Sequence, residues 1–134
     1  MISRGGLLSL TLALAAPAQA QGLIEVPSGQ PITLQDVVLN APGNHGLTAR
    51  FRFIAPQIAR SGGSIDFDTA TADMDHLCAT YALPRIATIT GPRPAEVVIS
   101  LSDRPVNFGE AQPEATQFFE AYVIEDETCL WEAF

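Results

Sequence analysis

The chain has 134 residues and carries 15 acidic side chains against seven arginines, with no lysine, which gives a formal net charge of −8 at pH 7. A chain this acidic repels phosphate backbones, so nucleic acid is a poor partner. Without lysine, the protein cannot form a lysine Schiff base or supply the lysine of a phosphate-binding loop.

Residues 1–20 have the features of a secretory signal peptide. Arg4 gives a positive start, residues 7–16 form an apolar run, and residues 18–20 (AQA) form a small-x-small cleavage site. The run is too short to span a bilayer, and no later apolar stretch is long enough. We therefore expect a mature chain that begins at Gln21, is periplasmic or secreted, and is not inserted in a membrane.

Two β-strands are predicted in the first half of the mature chain. Residues 32–39 are rich in apolar and β-branched side chains, and residues 47–54 alternate apolar and polar side chains, as a half-buried strand does. The turn signal APGNHG, residues 41–46, separates them. We expect the two strands to pair antiparallel across this turn.

A helix is predicted next, with Asp68 or Thr69 as its N-terminal cap. Its apolar side chains recur at helical spacing, at Met74, Leu77, Cys78 and Tyr81. The helix should end near Leu83, because Pro84 disfavours the helical conformation in the residue before it.

Three further strands are predicted after the helix. Residues 96–102 follow a proline-rich loop, and residues 116–124 and 129–134 form a closing hairpin. The predicted order is β-β-α-β-β-β. Residues 21–134 should therefore form a single α+β domain, in which one main helix packs on an antiparallel sheet of about five strands.

Cys78 and Cys129 are the two cysteines of the chain. An even number of cysteines in an exported protein predicts a disulfide. In the chain-entropy model, closing a loop of this length stabilises the fold by about 4 kcal/mol. A redox pair or a metal site is the alternative, although redox cysteines usually occur as C-x-x-C.

A motif of the form aromatic–Glu–Ala–aromatic occurs twice near the C-terminus, as FEAY at 119–122 and WEAF at 131–134. A three-residue turn at 126–128 would place both alanines on a buried face and both Glu120 and Glu132 on the outer face. We interpret the motif as two paired strands that share one buried face. The alternative is a hydrolase that uses Glu120 and Glu132 as its acid and base.

The densest group of acidic residues, here called the acidic patch, consists of Asp66, Asp68, Asp73 and Asp75, with His76 beside them. It suggests a small-ligand or divalent-cation site, but its spacing does not match the calcium loop of an EF-hand. Helix capping and a polar helix face are the favoured interpretation. The other histidine, His45, lies in a turn, and two histidines on separate elements do not predict a zinc site.

The chain lacks the common motifs for nucleophilic catalysis and phosphate binding, including G-x-S-x-G, S-x-x-K and G-x-G-x-x-G. We therefore expect no cofactor and no enzyme activity. The favoured hypothesis is an exported, non-enzymatic module that binds a protein partner or acts as an accessory factor in the cell envelope.

Contact with a protein partner is predicted at two kinds of position. Arg85, Arg93 and Arg104 each neighbour a proline, and a rigid loop that presents a guanidinium group suits a carboxylate on a partner. Tyr122 and Phe134 would lie on the outer face of the predicted hairpin, where exposed aromatic side chains favour an interface.

The segments MDHLCATYALPRI, AEVVISLSDRPVNFGE and TQFFEAYVIEDETCLWEAF resemble a family of small exported alphaproteobacterial proteins of unknown function. The two cysteines and the terminal WEAF are its most specific features. The resemblance implies no established activity and transfers no site residues. Some members carry an automatic acetolactate synthase label, which this chain does not support, because that reaction requires a large enzyme that holds thiamine diphosphate.

Overall fold

The computed structural model of the protein describes residues 22–43 and 45–133, together with positions 3, 5, 6, 8 and 9. The predicted signal peptide therefore lies almost wholly outside the described residues, as do Gln21, Asn44 and Phe134. In the described part of the chain, no helix is long and apolar enough to cross a membrane.

Five strands and one helical segment form the fold, in the predicted order β-β-α-β-β-β. The helical segment consists of helix α1, a wide π turn and the short helix α2, and a 3₁₀ turn precedes it. In chain order the bounds are β1 Thr33–Gly43, β2 Gly46–Ile54, the 3₁₀ turn Pro56–Ile58, α1 Phe67–Leu77, the π turn Cys78–Ala82, α2 Leu83–Ile86, β3 Glu96–Ser102, β4 Gln117–Glu125 and β5 Thr128–Glu132. The predicted α+β class is confirmed.

The strands form one sheet in the order β1-β2-β3-β4-β5. Neighbouring strands are antiparallel except β2 and β3, which are parallel. The sheet is therefore mixed, and the prediction of a wholly antiparallel sheet is wrong for this one pair. The long connection that contains the helical segment returns the chain to the end of the sheet where β2 begins, so β3 runs in the same direction as β2.

Helix α1 begins slightly earlier than the sequence pattern suggests. Its cap is Asp66, whose Oδ1 accepts a hydrogen bond of 2.8 Å from the backbone N–H of Thr69. The predicted caps, Asp68 and Thr69, lie instead in the first turn. There the charge of Asp68 interacts favourably with the helix dipole.

Helical backbone also continues beyond the predicted end near Leu83. In the π turn, the backbone N–H of Leu83 donates to Cys78 O. Pro84 then lies in the first turn of α2, where a missing N–H needs no partner. The wider turn thus accommodates the proline, and the helical segment ends only at Ile86.

One face of the sheet packs against the helical segment and forms the core. Met74, Leu77 and Cys78 of the predicted stripe are fully buried there, whereas Tyr81 is only partly buried. The strands contribute alternate apolar positions, as a half-buried sheet requires. These strand residues are Ala49, Phe51, Phe53, Val97, Ile99, Leu101 and Tyr122.

The predicted disulfide between Cys78 and Cys129 is confirmed, with the two Cα atoms 6.3 Å apart. It joins the start of the π turn to strand β5. Because both sulfurs are bonded, neither is available as a thiolate ligand for a metal. The cross-link should stabilise the fold by about 4 kcal/mol through the unfolded state.

The register of the closing hairpin differs from the prediction. Glu125 pairs with Thr128, so the turn contains two residues, Asp126 and Glu127, with φ angles of 50° and 58°. Positive φ at both positions is typical of a type I′ turn, whose twist matches that of the strands. The shorter turn places Tyr122, rather than Val123, opposite Trp131.

The corrected register reverses the direction of every side chain in β4. The side chains of Phe119, Ala121 and Val123 lie on the face of the sheet away from the helical segment, not in the core as predicted. The side chains of Glu120 and Tyr122 face the helical segment and are buried.

Candidate functional site

The sheet face that points away from the helical segment is called the open face here. Residues 103–116 cover the part of it formed by β1 and β2. Val106 O accepts a hydrogen bond of 2.8 Å from Gln35 Nε2 and another from Arg52. The part formed by β3, β4 and β5 carries one candidate site, a polar cluster, and a second candidate site, an apolar groove, lies beside β4.

Three side chains from distant parts of the chain meet on the open face. His45 belongs to the turn between β1 and β2, Glu96 begins β3, and Glu132 ends β5. One ligand atom from each side chain lies within 4.8 Å of the others. His45 Nε2 and Glu132 Oε1 are in hydrogen-bond contact, and Glu96 Oε1 accepts a bond of 3.4 Å from Thr48 Oγ1. We call these three side chains the His–Glu–Glu cluster.

Strand pairing brings the cluster together. Thr48 pairs with Glu96, Glu96 with Val123, and Val123 with Leu130, so these four side chains form one row across the open face. Glu132 lies two residues beyond Leu130 and therefore on the same face. The β1–β2 turn lies at the same end of β2 as this row. The cluster depends on four strands in register.

Gly43 allows the β1–β2 turn to approach this row closely. A Cβ atom at Gly43 would lie 2.1 Å from Thr48 Oγ1 and 3.3 Å from Glu96 Oε1. The first distance is far below van der Waals contact, so any side chain here would displace Thr48. Glycine is therefore required at this position if Thr48 is to bond to Glu96.

The cluster has one buried and two partly exposed members. Glu96 is 6% exposed, and its Oε2 has no hydrogen-bond partner among the described residues. Burial raises the pKa of Glu96, and the adjacent Glu132 carboxyl raises it further against smaller opposing effects of Thr48 and His45. The side chains of His45 and Glu132 are 47% and 23% exposed. A buried carboxylate thus faces an opening to solvent that a second carboxylate and an imidazole line.

The residues of the cluster can share a proton or bind a cation, because carboxylate oxygens and imidazole nitrogens are common metal ligands in proteins. The sequence prediction treated His45 as an isolated turn histidine. No local spacing motif links it to Glu96 and Glu132. Only the register of the sheet makes them neighbours.

The acidic patch, by contrast, is dispersed by the fold. Asp73 is fully buried, so its assignment to a polar helix face is wrong. It accepts hydrogen bonds from the backbone N–H of Ser28 at 2.9 Å, from the Ser28 hydroxyl, and from Gln30 Nε2 at 2.7 Å. Its role is to tie the segment that precedes β1 to helix α1.

The remaining members of the patch also have separate environments. Asp66 caps α1, and Asp75 accepts a hydrogen bond of 2.6 Å from the Tyr122 hydroxyl. Asp68 is exposed and His76 is partly exposed. Within the described residues, the patch does not bring three ligand atoms together as the His–Glu–Glu cluster does.

The two glutamates of the duplicated motif lie on opposite faces of the sheet. Glu120 is 5% exposed and accepts a hydrogen bond from Trp131 Nε1 on the helix side, whereas Glu132 lies on the open face. The predicted placement of both glutamates on the outer face is therefore wrong for Glu120. The alternative of an acid–base pair loses its geometry as well, because the sheet separates the two carboxyls. Tyr122 is 1% exposed and cannot contact a partner. Phe134 lies outside the described residues.

The three predicted arginines have different surroundings. The guanidinium of Arg85 lies 3.3 Å from the centre of the Tyr81 ring, and Arg104 pairs with Asp103 at 3.1 Å. Arg93 is exposed and lines a surface cavity of about 490 Å³. Two of the three are thus engaged within the protein, and Arg93 retains the features of a contact residue.

The second candidate site is an apolar groove of about 470 Å³ beside β4, here called the aromatic groove, which extends from the open face to Phe67 at the start of helix α1. Phe67 and Phe119 are 47% and 40% exposed. The rings of Phe67 and Phe118 meet edge to face, with centres 5.2 Å apart. The groove is lined by Arg50, Phe67, Val98, Gln117, Phe118 and Phe119.

The groove adjoins a stretch of β4 that β5 does not cover. Strand β5 pairs with β4 only between Ala121 and Glu125. Within the described residues, positions 117–120 therefore have a paired strand on one side only. An apolar groove beside an uncovered strand edge is a geometry that can accept an extended peptide.

Arg50 is the charged side chain of the groove. Its guanidinium lies 5.5 Å from the centre of the Phe108 ring. Its Nε is buried and, among the described residues, has no hydrogen-bond partner, and the guanidinium forms no salt bridge with them. Arg50 is therefore available to an anionic group that enters the groove.

The fold and these sites define a disulfide-linked α+β domain that carries a polar cluster on its open face and an apolar groove beside β4. The chain belongs to a family of unknown function, DUF6497, whose model matches residues 9–134. No curated protein and no solved structure matches the chain. Because the family carries no enzyme name, the acetolactate synthase label has no support from it.

Proposed function

We propose that the protein is an exported, non-enzymatic binding domain that receives an extended segment of a partner protein in the aromatic groove. The observation that carries the proposal is the groove itself, where Phe67 and Phe119 expose aromatic surface beside a part of β4 that β5, as far as it is described, does not pair with. Aromatic side chains dominate the binding energy of many protein interfaces, and exposed apolar patches of this kind mark interaction surfaces.

The shape and charge of the groove indicate the chemistry of the partner segment. The edge of β4 at positions 117–120, which has no second paired strand among the described residues, suits main-chain hydrogen bonds to an added strand. Phe118 and Phe119 suit apolar side chains on that strand, and Arg50 suits a carboxylate. We therefore propose an extended segment with apolar residues and at least one Asp or Glu. This agrees with a partner in the cell envelope, the environment that the leader sequence predicts.

Export is supported by two independent features. The first feature is residues 1–20, which have the pattern of a secretory signal peptide. The second is the disulfide Cys78–Cys129, because disulfides form and persist in oxidising compartments. Mass spectrometry of the protein recovered from the periplasm, without reductant, should give the mass of a chain that begins at Gln21 and lacks two hydrogens. A chain that retains residues 1–20, or one with reduced cysteines, would contradict export and oxidation respectively.

The partner proposal is tested by cross-linking inside the cell. A photoreactive phenylalanine analogue is placed at position 119, and at position 23 as the control, because Leu23 is an exposed apolar residue (46%) outside the groove. Illumination should give one discrete adduct at position 119 and not at position 23. Arg50→Glu should abolish the adduct.

Arg93→Glu serves as the matched charge reversal, because Arg93 lies outside the aromatic groove. If Arg93→Glu abolishes the adduct and Arg50→Glu does not, the partner contacts the loop that contains Arg93 instead of the aromatic groove. The same adducts at positions 119 and 23, or none at either, would refute the groove as the binding site.

A further inference from the structure

We propose that His45, Glu96 and Glu132 form a binding site for one divalent transition-metal ion, with Zn²⁺ as the best match to the ligands. This site is separate from the aromatic groove, and its occupation does not depend on a protein partner.

The first support is the geometry of the three ligand atoms. All lie within 4.8 Å of one another. Ligands placed tetrahedrally at about 2.1 Å from zinc are about 3.4 Å apart. When a metal binds, separations of up to 4.8 Å between ligand atoms must shorten to about 3.4 Å. Small rotations of the His45 and Glu132 side chains can achieve this, because both side chains are partly exposed and lie in the β1–β2 turn and at the end of β5 rather than in the core. Glu96 contributes a ligand atom that lies within 4.8 Å of theirs.

The second support is independent of this proximity. Glu96 is 94% buried, yet its Oε2 has no hydrogen-bond partner among the described residues. A buried carboxylate oxygen without a partner carries a large desolvation cost. None of the described arginines forms a salt bridge with Glu96 or Glu132. Glu132 contacts His45, whereas Glu96 has no cationic partner among the described residues, and a bound cation would interact favourably with both carboxylates.

The set of ligands selects the class of metal. One imidazole nitrogen and two carboxylate oxygens suit Zn²⁺ and other first-row ions such as Mn²⁺. Calcium and magnesium bind oxygen ligands almost exclusively, whereas this set includes an imidazole nitrogen, which transition metals accept. Three protein ligands leave a coordination position for water, because the cluster opens to solvent at His45.

The experiment measures metal binding to the full chain, expressed without a histidine tag, processed by the cell and stripped of metal with a chelator. Native mass spectrometry and calorimetric titration with ZnCl₂ should show one Zn²⁺ per chain. His45→Ala and Glu96→Gln should each weaken binding at least tenfold. CaCl₂ should give no stoichiometric binding under the same conditions.

His76→Ala is the matched control, because it removes the other histidine of the chain and leaves the cluster intact. It should bind zinc as the native protein does. Circular dichroism verifies that each variant remains folded, and the exposed turn position of His45 makes misfolding of His45→Ala unexpected.

Two results would overturn the proposal. Absence of stoichiometric binding with both Zn²⁺ and Mn²⁺ would mean that the two carboxyls share a proton instead of a metal. Zinc binding that survives His45→Ala and Glu96→Gln but is lost in His76→Ala would place the metal on the acidic patch.

Discussion

The acidic patch and the His–Glu–Glu cluster differ in how the fold treats carboxylates. The patch is dense in sequence, but its buried member, Asp73, accepts three hydrogen bonds from Ser28 and Gln30. The cluster is spread over the chain, yet strand pairing brings its members together and leaves a buried oxygen of Glu96 without a partner in the described residues. The density of acidic residues in a sequence is thus a poor guide to a ligand site, because helix caps and buried hydrogen bonds also require them.

The largest expected effect concerns Asp73. Asp73→Ala removes the acceptor of three hydrogen bonds and leaves the buried amide of Gln30 and two partly buried donors of Ser28 unpaired. We expect the free energy of unfolding to fall by about 3 kcal/mol. Urea denaturation measures this, with Asp68→Ala as the control, because Asp68 is exposed and should cost at most about 0.5 kcal/mol. If the two variants lose the same free energy of unfolding, Asp73 does not contribute more to stability than the exposed Asp68, and the proposed structural role of Asp73 is wrong.

The second effect has the opposite sign. In the metal-free protein, Glu96→Gln replaces a buried carboxyl with an amide that can donate to Glu132 and still accept from Thr48. We expect the free energy of unfolding to rise by about 1 kcal/mol, measured in urea with chelator present. Glu125→Gln, an exposed change on the same hairpin, should have no such effect. A marked loss of stability in Glu96→Gln would show that the cluster is a structural network like that of Asp73.

The smallest effect concerns the charge of the helix cap. The backbone N–H of Thr69 lowers the pKa of Asp66 below its usual value. A lowered folded pKa stabilises the fold above the unfolded pKa, and this contribution is lost as the pH falls through the folded pKa. Asp66→Asn keeps the cap but not the charge.

Thermal melts of the native protein and of Asp66→Asn should therefore differ slightly at pH 7 and converge at about pH 2. A difference that is independent of pH over this range would mean that the charge of Asp66 does not contribute.

Most of the architecture follows from local sequence patterns. The order of the elements along the chain, the apolar stripe of the helical segment and the α+β class are confirmed, because side-chain periodicity directly reflects which face of an element is buried. The pairing of Cys78 with Cys129 is confirmed as well, since the chain offers no other pair. The interpretation of the candidate site was weaker. His45 was not expected to be a ligand, and Glu120 and Glu132 were expected on one outer face of the hairpin but lie on opposite faces of the sheet.

The sequence by itself therefore determined which segments become strands and helix, which cysteines pair, and the acidic character of the chain. The tertiary structure decided the parallel pairing of β2 with β3, the register of the β4–β5 hairpin and the meeting of His45, Glu96 and Glu132. The physical reason is the range of the interactions. Periodicity and capping act within a few residues, so the sequence shows them directly. The other three features depend on contacts between strands that are far apart in the chain. They are the direction of the connection from β2 to β3, the two-residue turn without glycine, and the neighbours of Glu96.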